Sequence, residues 1–539
     1  MLETVNLGLY QRELYRAQFR EKVAAGNATL FVVPYAAFGT FILPILYLTI
    51  PHVKRPWLYQ ARFALYALIV AFNLQEMGRS SSTNMAAAYA VGLFQSWGIV
   101  WSATILIWMA PQFEAERVEK RRRVTTGQMN GSSQVENGHS VTPTSNGHAK
   151  RTTASNDERL RALAAPDEDI ANNLAEYEYY WQAYPANASF LTRLEWAIDL
   201  VFAFRGSGWN WSIPSVPRFA KPEKPQSGEL VKLDSIAIST RFGYARSTTR
   251  KAFLHTKLSR LAIDFVVLDF CSVFMMKDPY FVLGPNERPL PALLASLPPF
   301  LVSIWRSSIS LAGIIAALHL VFASHQLVCC FLLRRWLGTR SELWHYPSIL
   351  GSFDQVLENG LAGFWGAWWH QTFRQAFSAP TLWLDRNGHL QKLSTVQTKV
   401  VASLIAFAQS SFLHASGSLT CLPDSKPWMP PAFFLLSWIG IIVQTALTMV
   451  LSQKGPQLPR PVRRAGNLLY VVLWLHFTQW AFVDDLSRSA VWLFEPVPFS
   501  PLRAMGFGKP GDGWWRWDYD QWPHWHIDAQ HWWRSGIMV

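Results

Sequence analysis

Read for apolar and polar positions, the chain divides into greasy runs much longer than the half-buried elements of a soluble protein. Thr29–Ile50 and Met85–Met109 are apolar almost throughout, while Trp57–Leu74 is shorter and carries Arg62. After a long polar gap, Ser259–Leu283 is apolar apart from Asp264, Asp269 and a closing Lys277-Asp278-Pro279-Tyr280. Ser307–Leu333 then runs up to Arg334-Arg335, and Val396–Leu419 and Pro430–Leu451 follow without a charge beyond Lys399. Gly466–Phe482 opens a last apolar stretch, broken by Asp484-Asp485 before Phe494. A helix needs about twenty mainly apolar residues to cross the hydrocarbon layer. The pattern predicts an all-α, multi-span integral membrane protein with about seven to nine transmembrane helices.

The polar stretches between these runs set the expected organisation. Residues 1–28 form an N-terminal segment, cytosolic or lumenal, and 29–110 hold the first membrane spans. Arg12, Arg16, Arg20 and Lys22 make the start unlike a cleavable signal peptide, so the first span is expected to act as the insertion signal. Residues 111–173 read as a basic and disordered loop. The run Lys120-Arg121-Arg122-Arg123 marks the cytosolic side, and Val124–Pro166 is too rich in Ser, Thr, Asn and Gly to bury a core. Residues 174–258 read as amphipathic and interfacial, with the tryptophans of Arg205-Gly206-Ser207-Gly208-Trp209-Asn210-Trp211 suited to an interface belt. Residues 259–495 form the membrane-embedded core, and 496–539 a flexible Trp-rich tail expected to anchor at headgroup level.

Composition narrows the function. Hydrophobic residues make up 50% and charged residues 16% of the 539, with 27 tryptophans, which fits spans joined by wet loops. The net charge of +13 is clustered in loops, as the positive-inside rule requires, and no basic patch is interleaved with aromatics as nucleic-acid binding would need. The four cysteines, Cys271, Cys329, Cys330 and Cys421, show no CxxC spacing, so neither a zinc framework nor a disulfide scaffold is expected.

The candidate chemistry lies between Trp344 and Ser418. His370 follows the aromatic run Phe364-Trp365-Gly366-Ala367-Trp368-Trp369, and His414 falls 44 positions later inside an apolar run, after Ser410 and Ser411 and before the small Ala415, Ser416 and Gly417. An ionisable side chain at bilayer depth is costly and marks a functional site by default. Moving an acyl group from a thioester to an alcohol requires removal of the hydroxyl proton, for which histidine is suited, and a second donor for the oxyanion. The run therefore points to acyl transfer, with Gln371 and Arg374 placed to meet a polar head or phosphate. His319 and His325, on an apolar helix, are expected to be packing residues, and Asp264 and Asp269 to be structurally paired. Competing motifs fail on context. His524-x-x-x-Asp528 lacks the soluble α/β core its motif needs, and the segment around Gly506 and Gly508 lacks the spacing of a phosphate-binding loop. No metal site is expected from His524, His526 and His531.

Phe364-Trp365-Gly366-x-x-Trp369-His370 resembles the Phe-Trp-Gly-x-x-Trp-(Asn/His) motif of the wax-synthase-like branch of the membrane-bound O-acyltransferase superfamily. Arg205–Trp211, Asp278-Pro279-Tyr280-Phe281 and Trp344–Gly351 also look like its fungal members. The resemblance implies a helical bundle with a buried catalytic chamber. It implies His414 and His370 as catalytic residues, and Trp365, Trp369, Gln371, Arg374, Ser410 and Ser411 as substrate-binding. It also implies acyl-CoA, most simply acetyl-CoA, as co-substrate, with no cofactor bound permanently. The acceptor implied is a hydroxyl of a hydrophobic secondary metabolite such as a terpenoid or meroterpenoid, and the site of action the endoplasmic reticulum membrane. The sequence departs from the superfamily in one respect: Ala415 follows His414 where classical members carry Glu, which leaves the orienting partner of His414 unidentified. Wax-ester synthesis is the alternative within the class. Outside it, intramembrane histidines and aspartates also suit a transporter, though the repeated halves and paired broken helices of transporters are not visible.

Overall fold

The computed structural model describes residues 6–123, 167–219, 225–423, 425–454 and 458–538. The principal helices are α1 (Leu7–Ala24), α2 (Arg62–Arg79), α3 (Met85–Ala103), α4 (Phe190–Phe202), α5 (Arg250–Met275), α6 (Pro299–Leu327), α7 (Asp354–Gly363), α8 (Arg374–Arg386), α9 (Thr395–Leu419), α10 (Met429–Lys454), α11 (Arg460–Thr478) and α12 (Trp480–Arg488). Five helical stretches among the described residues are long and apolar enough to cross a membrane: Pro56–Arg79, Met85–Trp108, Pro299–Leu332, Thr395–Leu419 and Met429–Leu451. α5 and α11 have the length but carry charges, among them Lys257 and Asp264 in the first and Arg460, Arg463 and Arg464 in the second.

Burial separates the middle of the bundle from its skin. The apolar window of the α3 span is 72% buried and that of the α2 span 11%, so α3 is the central post. Outward faces of α6, α10 and α11 expose Val321, Leu447, Leu469, Val472 and Phe477, a surface suited to lipid tails. α3 and α9 cross at two glycines. A Cβ on Gly92 would lie 1.8 Å from the Ser416 carbonyl oxygen, and one on Gly417 would lie 2.7 Å from the Tyr89 ring. Small residues let helix backbones approach this closely where no hydrophobic effect draws helices together.

Four expectations are corrected. Thr29–Ile50 is not one helix: Thr29–Leu30 (β1), which pairs with Ser80–Ser81 (β3), and Val32–Val33 (β2) are strands, and helical structure begins only at Tyr35. Pro34 has no N–H for a helix, and β2 gives its backbone to the far end of the chain. β2 pairs with Gly536–Met538 (β7), which pairs with His524–His526 (β6), both antiparallel. The C-terminal tail is therefore a folded sheet, and it is held further by Arg16 on Asp518 at 2.7 Å and Asn6 on Asp512 at 2.7 Å. Nor is the basic segment simply a loop. Arg117–Arg122 (β4) pairs antiparallel with Tyr177–Gln182 (β5), and Lys120 Nζ reaches Glu342 at 2.6 Å. The alternation Tyr177-x-Tyr179-x-Trp181 buries Tyr179 and Trp181 on one face, the period of a strand. Finally, Trp209 is buried against Trp196 (centroids 5.2 Å apart) instead of facing an interface. The expected disordered stretch 124–166 lies outside the described residues.

The charges read as structural have partners. Asp264 meets Arg260 at 3.0 Å, with His319 Nδ1 3.8 Å away, and Asp269 accepts from the Leu502 N–H at 3.0 Å. His325 lies 3.7 Å from the Cys329 sulfur.

Candidate active site

The site is assembled from a break in α7. Gly360 sits at φ 58°, a conformation glycine adopts without the clash of a Cβ, and the break frees backbone groups inside the bundle. Gln444 of α10 accepts the Leu361 N–H at 2.8 Å and donates to Asn467 of α11 at 3.1 Å. Asn467 in turn donates to the carbonyls of Leu357 and Glu358 at 2.9 and 3.0 Å. Irregular backbone at membrane depth is tolerated only when protein or water satisfies it in this way. Phe364–Trp368 then winds as a π-helical turn, a form frequent at functional sites.

Side chains also hold the exit from this turn. Gln371 donates to the carbonyls of Trp365 (3.0 Å) and Trp369 (2.7 Å), Tyr244 donates to Trp369 (2.9 Å), and Arg374 donates to Gly366 (2.7 Å) and to Gln371 Oε1 (2.9 Å). The last carbonyls of a helix need such donors. In this structure Gln371 and Arg374 fix the shape of the turn that presents His370.

His370 and His414 are brought together around one aromatic box. His370 packs on Trp369 (5.4 Å between ring centroids), Trp369 on Trp365 (6.0 Å), Trp365 on Phe434 (5.8 Å), and Phe434 stacks on His414 (4.8 Å, 22° between planes). Phe482 stands edge-on to His414 at 5.2 Å. Two ring nitrogens of the box, Trp365 Nε1 and His370 Nδ1, are buried without a hydrogen-bond partner. Both nitrogens are therefore free to meet a polar ligand atom. Ser411 spends its hydroxyl on the Phe407 carbonyl at 2.8 Å, and Ser410 stands one helical turn before His414.

The partner of His414 is Tyr89 of α3. Its hydroxyl lies 3.3 Å from His414 Nδ1 and 3.3 Å from the His414 carbonyl oxygen. Sequence reasoning missed it because the two residues are 325 positions apart. The available signal was a lone hydroxyl in Met85-Ala86-Ala87-Ala88-Tyr89-Ala90-Val91-Gly92. The C-terminal end of α9 is anchored where Ser418 donates to Asp485 of α12 at 3.0 Å. Outside the spans, Arg205 lies beside the box. Burial pushes its guanidinium down to about 10, and its Nε has no partner. Among the described residues no three His, Cys, Asp or Glu side chains gather as a metal site would require.

Residues 346–436, which include both histidines, match the membrane bound O-acyl transferase family. The chain is similar to acetyltransferase ple2 of Rhodocybe pseudopiperita, 25% identical over 332 residues that cover 58% of this chain and 76% of that one. It is also similar to the O-mevalon transferases macI of Penicillium terrestre and yanI of Aspergillus niger. Each is 23% identical over 42% of this chain and 46% of the relative, so the match spans about half of their length. No solved structure matches. The family match over the histidine box, the similarity to these fungal transferases and the apolar helices together support a membrane-embedded O-acyltransferase of this kind.

Proposed function

We propose that the protein transfers an acyl group, acetyl from acetyl-CoA, to a hydroxyl of a hydrophobic secondary metabolite such as a terpenoid or meroterpenoid alcohol. The reaction would take place in the endoplasmic reticulum membrane. The observation that carries this reading is the pairing of His414 with a box whose two orphan ring nitrogens, on Trp365 and His370, face no protein partner. The acetyl group is supported by the name of one relative, acetyltransferase ple2.

The chemistry follows from the atoms present. A tyrosine hydroxyl has one proton, and a carbonyl oxygen can only accept, so Tyr89 donates to the His414 carbonyl and accepts from Nδ1–H. That tautomer leaves Nε2 of His414 with a free lone pair. Nε2 takes the proton of the acceptor hydroxyl as its oxygen attacks the thioester carbonyl. The carbonyl oxygen becomes an oxyanion and is met by N–H donors of the box, His370 first and Trp365 beside it. Collapse breaks the carbon–sulfur bond, and the departing thiolate takes its proton from His414, which returns the imidazole to its starting form. Gln371 and Arg374 hold the turn in place while Ser410 and Ser411 line the approach along α9.

The test is direct. Membranes containing the protein are incubated with labelled acetyl-, mevalonyl- and long-chain acyl-CoAs and a panel of terpenoid and fatty alcohols, and the esters are identified by mass. Acetyl esters of terpenoid alcohols are expected. Wax esters alone would transfer the assignment to wax-ester synthesis, and no ester from any pair would overturn it.

A further inference from the structure

Four arginines converge on the outer side of the His370 turn with no carboxylate within ion-pair distance among the described residues: Arg205, Arg218, Arg241 and Arg374. Arg374 and Arg241 lie over the same ring, Phe242, at 5.8 and 4.7 Å, and Arg205 lies over Tyr244 at 5.4 Å. Arg218 is close enough to Arg241 and Arg374 for each to feel the other's charge, and burial of Arg374 together with these like charges lowers its affinity for its proton. Two acids of the neighbouring segments are engaged elsewhere, Asp167 on Arg246 and Asp354 on Arg464. The turn that carries Arg241 and Phe242 is pinned to the segment before α7, where the Ser352 N–H donates to the Phe242 carbonyl at 2.8 Å.

Gathering guanidinium groups without counter-ions is unfavourable, and more so where water is partly excluded. Most arginines of this chain that reach the interior avoid it: Arg117 has Asp199 at 3.0 Å, Arg306 has Asp278 at 2.7 Å and Arg503 has Glu495 at 3.1 Å. The unpaired four are also graded. Arg205 is half-buried beside His370 with an orphan Nε, Arg374 is half-buried, and Arg241 and Arg218 are exposed. A track that starts beside the box and ends in water suits a ligand whose reacting end is neutral and whose far end carries several negative charges. Guanidinium forks bind phosphate oxygens in pairs.

We propose that Arg205, Arg218, Arg241 and Arg374 form the subsite that binds the phosphates of the acyl donor's nucleotide end. The inference rests on the acyl-thioester reading above, and it places the entrance for the donor on the face that carries residues 205–246. Phospholipid headgroups share the phosphate chemistry, so the test separates the two sources.

The full-length protein in neutral-lipid nanodiscs is titrated with adenosine 3′,5′-bisphosphate, which carries the nucleotide phosphates but no thioester. Arg218→Gln/Arg241→Gln removes two exposed guanidinium groups that have no role in holding the His370 turn. Thermal unfolding checks that the variant is intact, and Arg464→Gln serves as the control. We expect roughly tenfold or greater loss of bisphosphate affinity in the double variant and a matching rise in KM for the acyl-CoA with kcat retained. Unchanged bisphosphate binding with unchanged KM overturns the subsite while leaving the reaction in place. Loss of binding to phosphatidic acid in the nanodisc, with bisphosphate affinity intact, overturns it in favour of a lipid site. Bisphosphate binding that depends on the arginines in a protein that forms no ester keeps the subsite and overturns the reaction.

Discussion

The hydroxyl of Tyr89 on α3 bridges the imidazole and the carbonyl of His414 on α9, 3.3 Å from each. This contact exists because Gly92 and Gly417 let the two helices touch backbone to backbone. In the proposed reaction it supplies the orienting group that the residue after His414, an alanine, cannot. Tyr89→Phe keeps the ring and its packing but removes the acceptor for Nδ1–H. We expect kcat to fall roughly ten- to a hundredfold with little change in either KM, as when groups that orient a working histidine are removed. The pH profile of kcat should shift as well, because the tautomer is no longer held. An unchanged rate and profile would leave Tyr89 a packing residue.

His414→Ala removes the proposed base and is expected to abolish ester formation while acyl-CoA binding stays largely intact. His319→Ala and His325→Ala, which remove a neighbour of Asp264 and a neighbour of Cys329, should cost far less. Comparison of the three at matched membrane abundance decides the point. Near-normal turnover in His414→Ala would bring the transporter reading forward.

His370→Ala removes one of the two orphan donors of the box and should lower turnover by roughly a hundredfold or more with membrane expression retained. His370→Asn restores a side-chain N–H and should recover part of the activity. Equal and complete loss in both variants, each folded, would sink the donor role.

Gln444→Leu tests the support beneath the motif. It leaves the Leu361 N–H buried without its 2.8 Å partner, a loss of about 1–3 kcal/mol. The melting temperature in detergent and the turnover should fall together, because the break in α7 sets the direction of the turn that carries His370. A stable variant with normal activity would show that the break holds itself.

Gly92→Val forces a side chain into the Ser416 carbonyl, 1.8 Å from where its Cβ would lie. Backbone cannot yield as a flexible side chain does, so α3 and α9 must separate, at a cost of about 1–3 kcal/mol or more. We expect a lower melting temperature and, because Tyr89 moves away from His414, a loss of activity at temperatures where the protein is still folded.

The sequence alone determined the membrane character and the positions of the motif and of the two histidines beside it. Apolar runs report helix and lipid directly, because one turn of backbone satisfies itself wherever side chains are greasy. The aromatic run at 364–369 and an isolated histidine at 414 are likewise local facts. It misjudged segments whose backbone bonds go to distant partners. Val32–Val33 is apolar enough for a span yet pairs with residues 537 and 538, and Arg117–Arg122 reads as a basic loop yet pairs with Tyr177–Gln182. Only the tertiary structure decided that His414 is held by Tyr89, that Gln444 and Asn467 brace the break at Gly360, and that four arginines without acids lie on one side of His370. Each of these depends on elements far apart in the chain meeting at a few ångströms. Residue identity gives the chemistry a side chain offers, but packing decides which partner receives it.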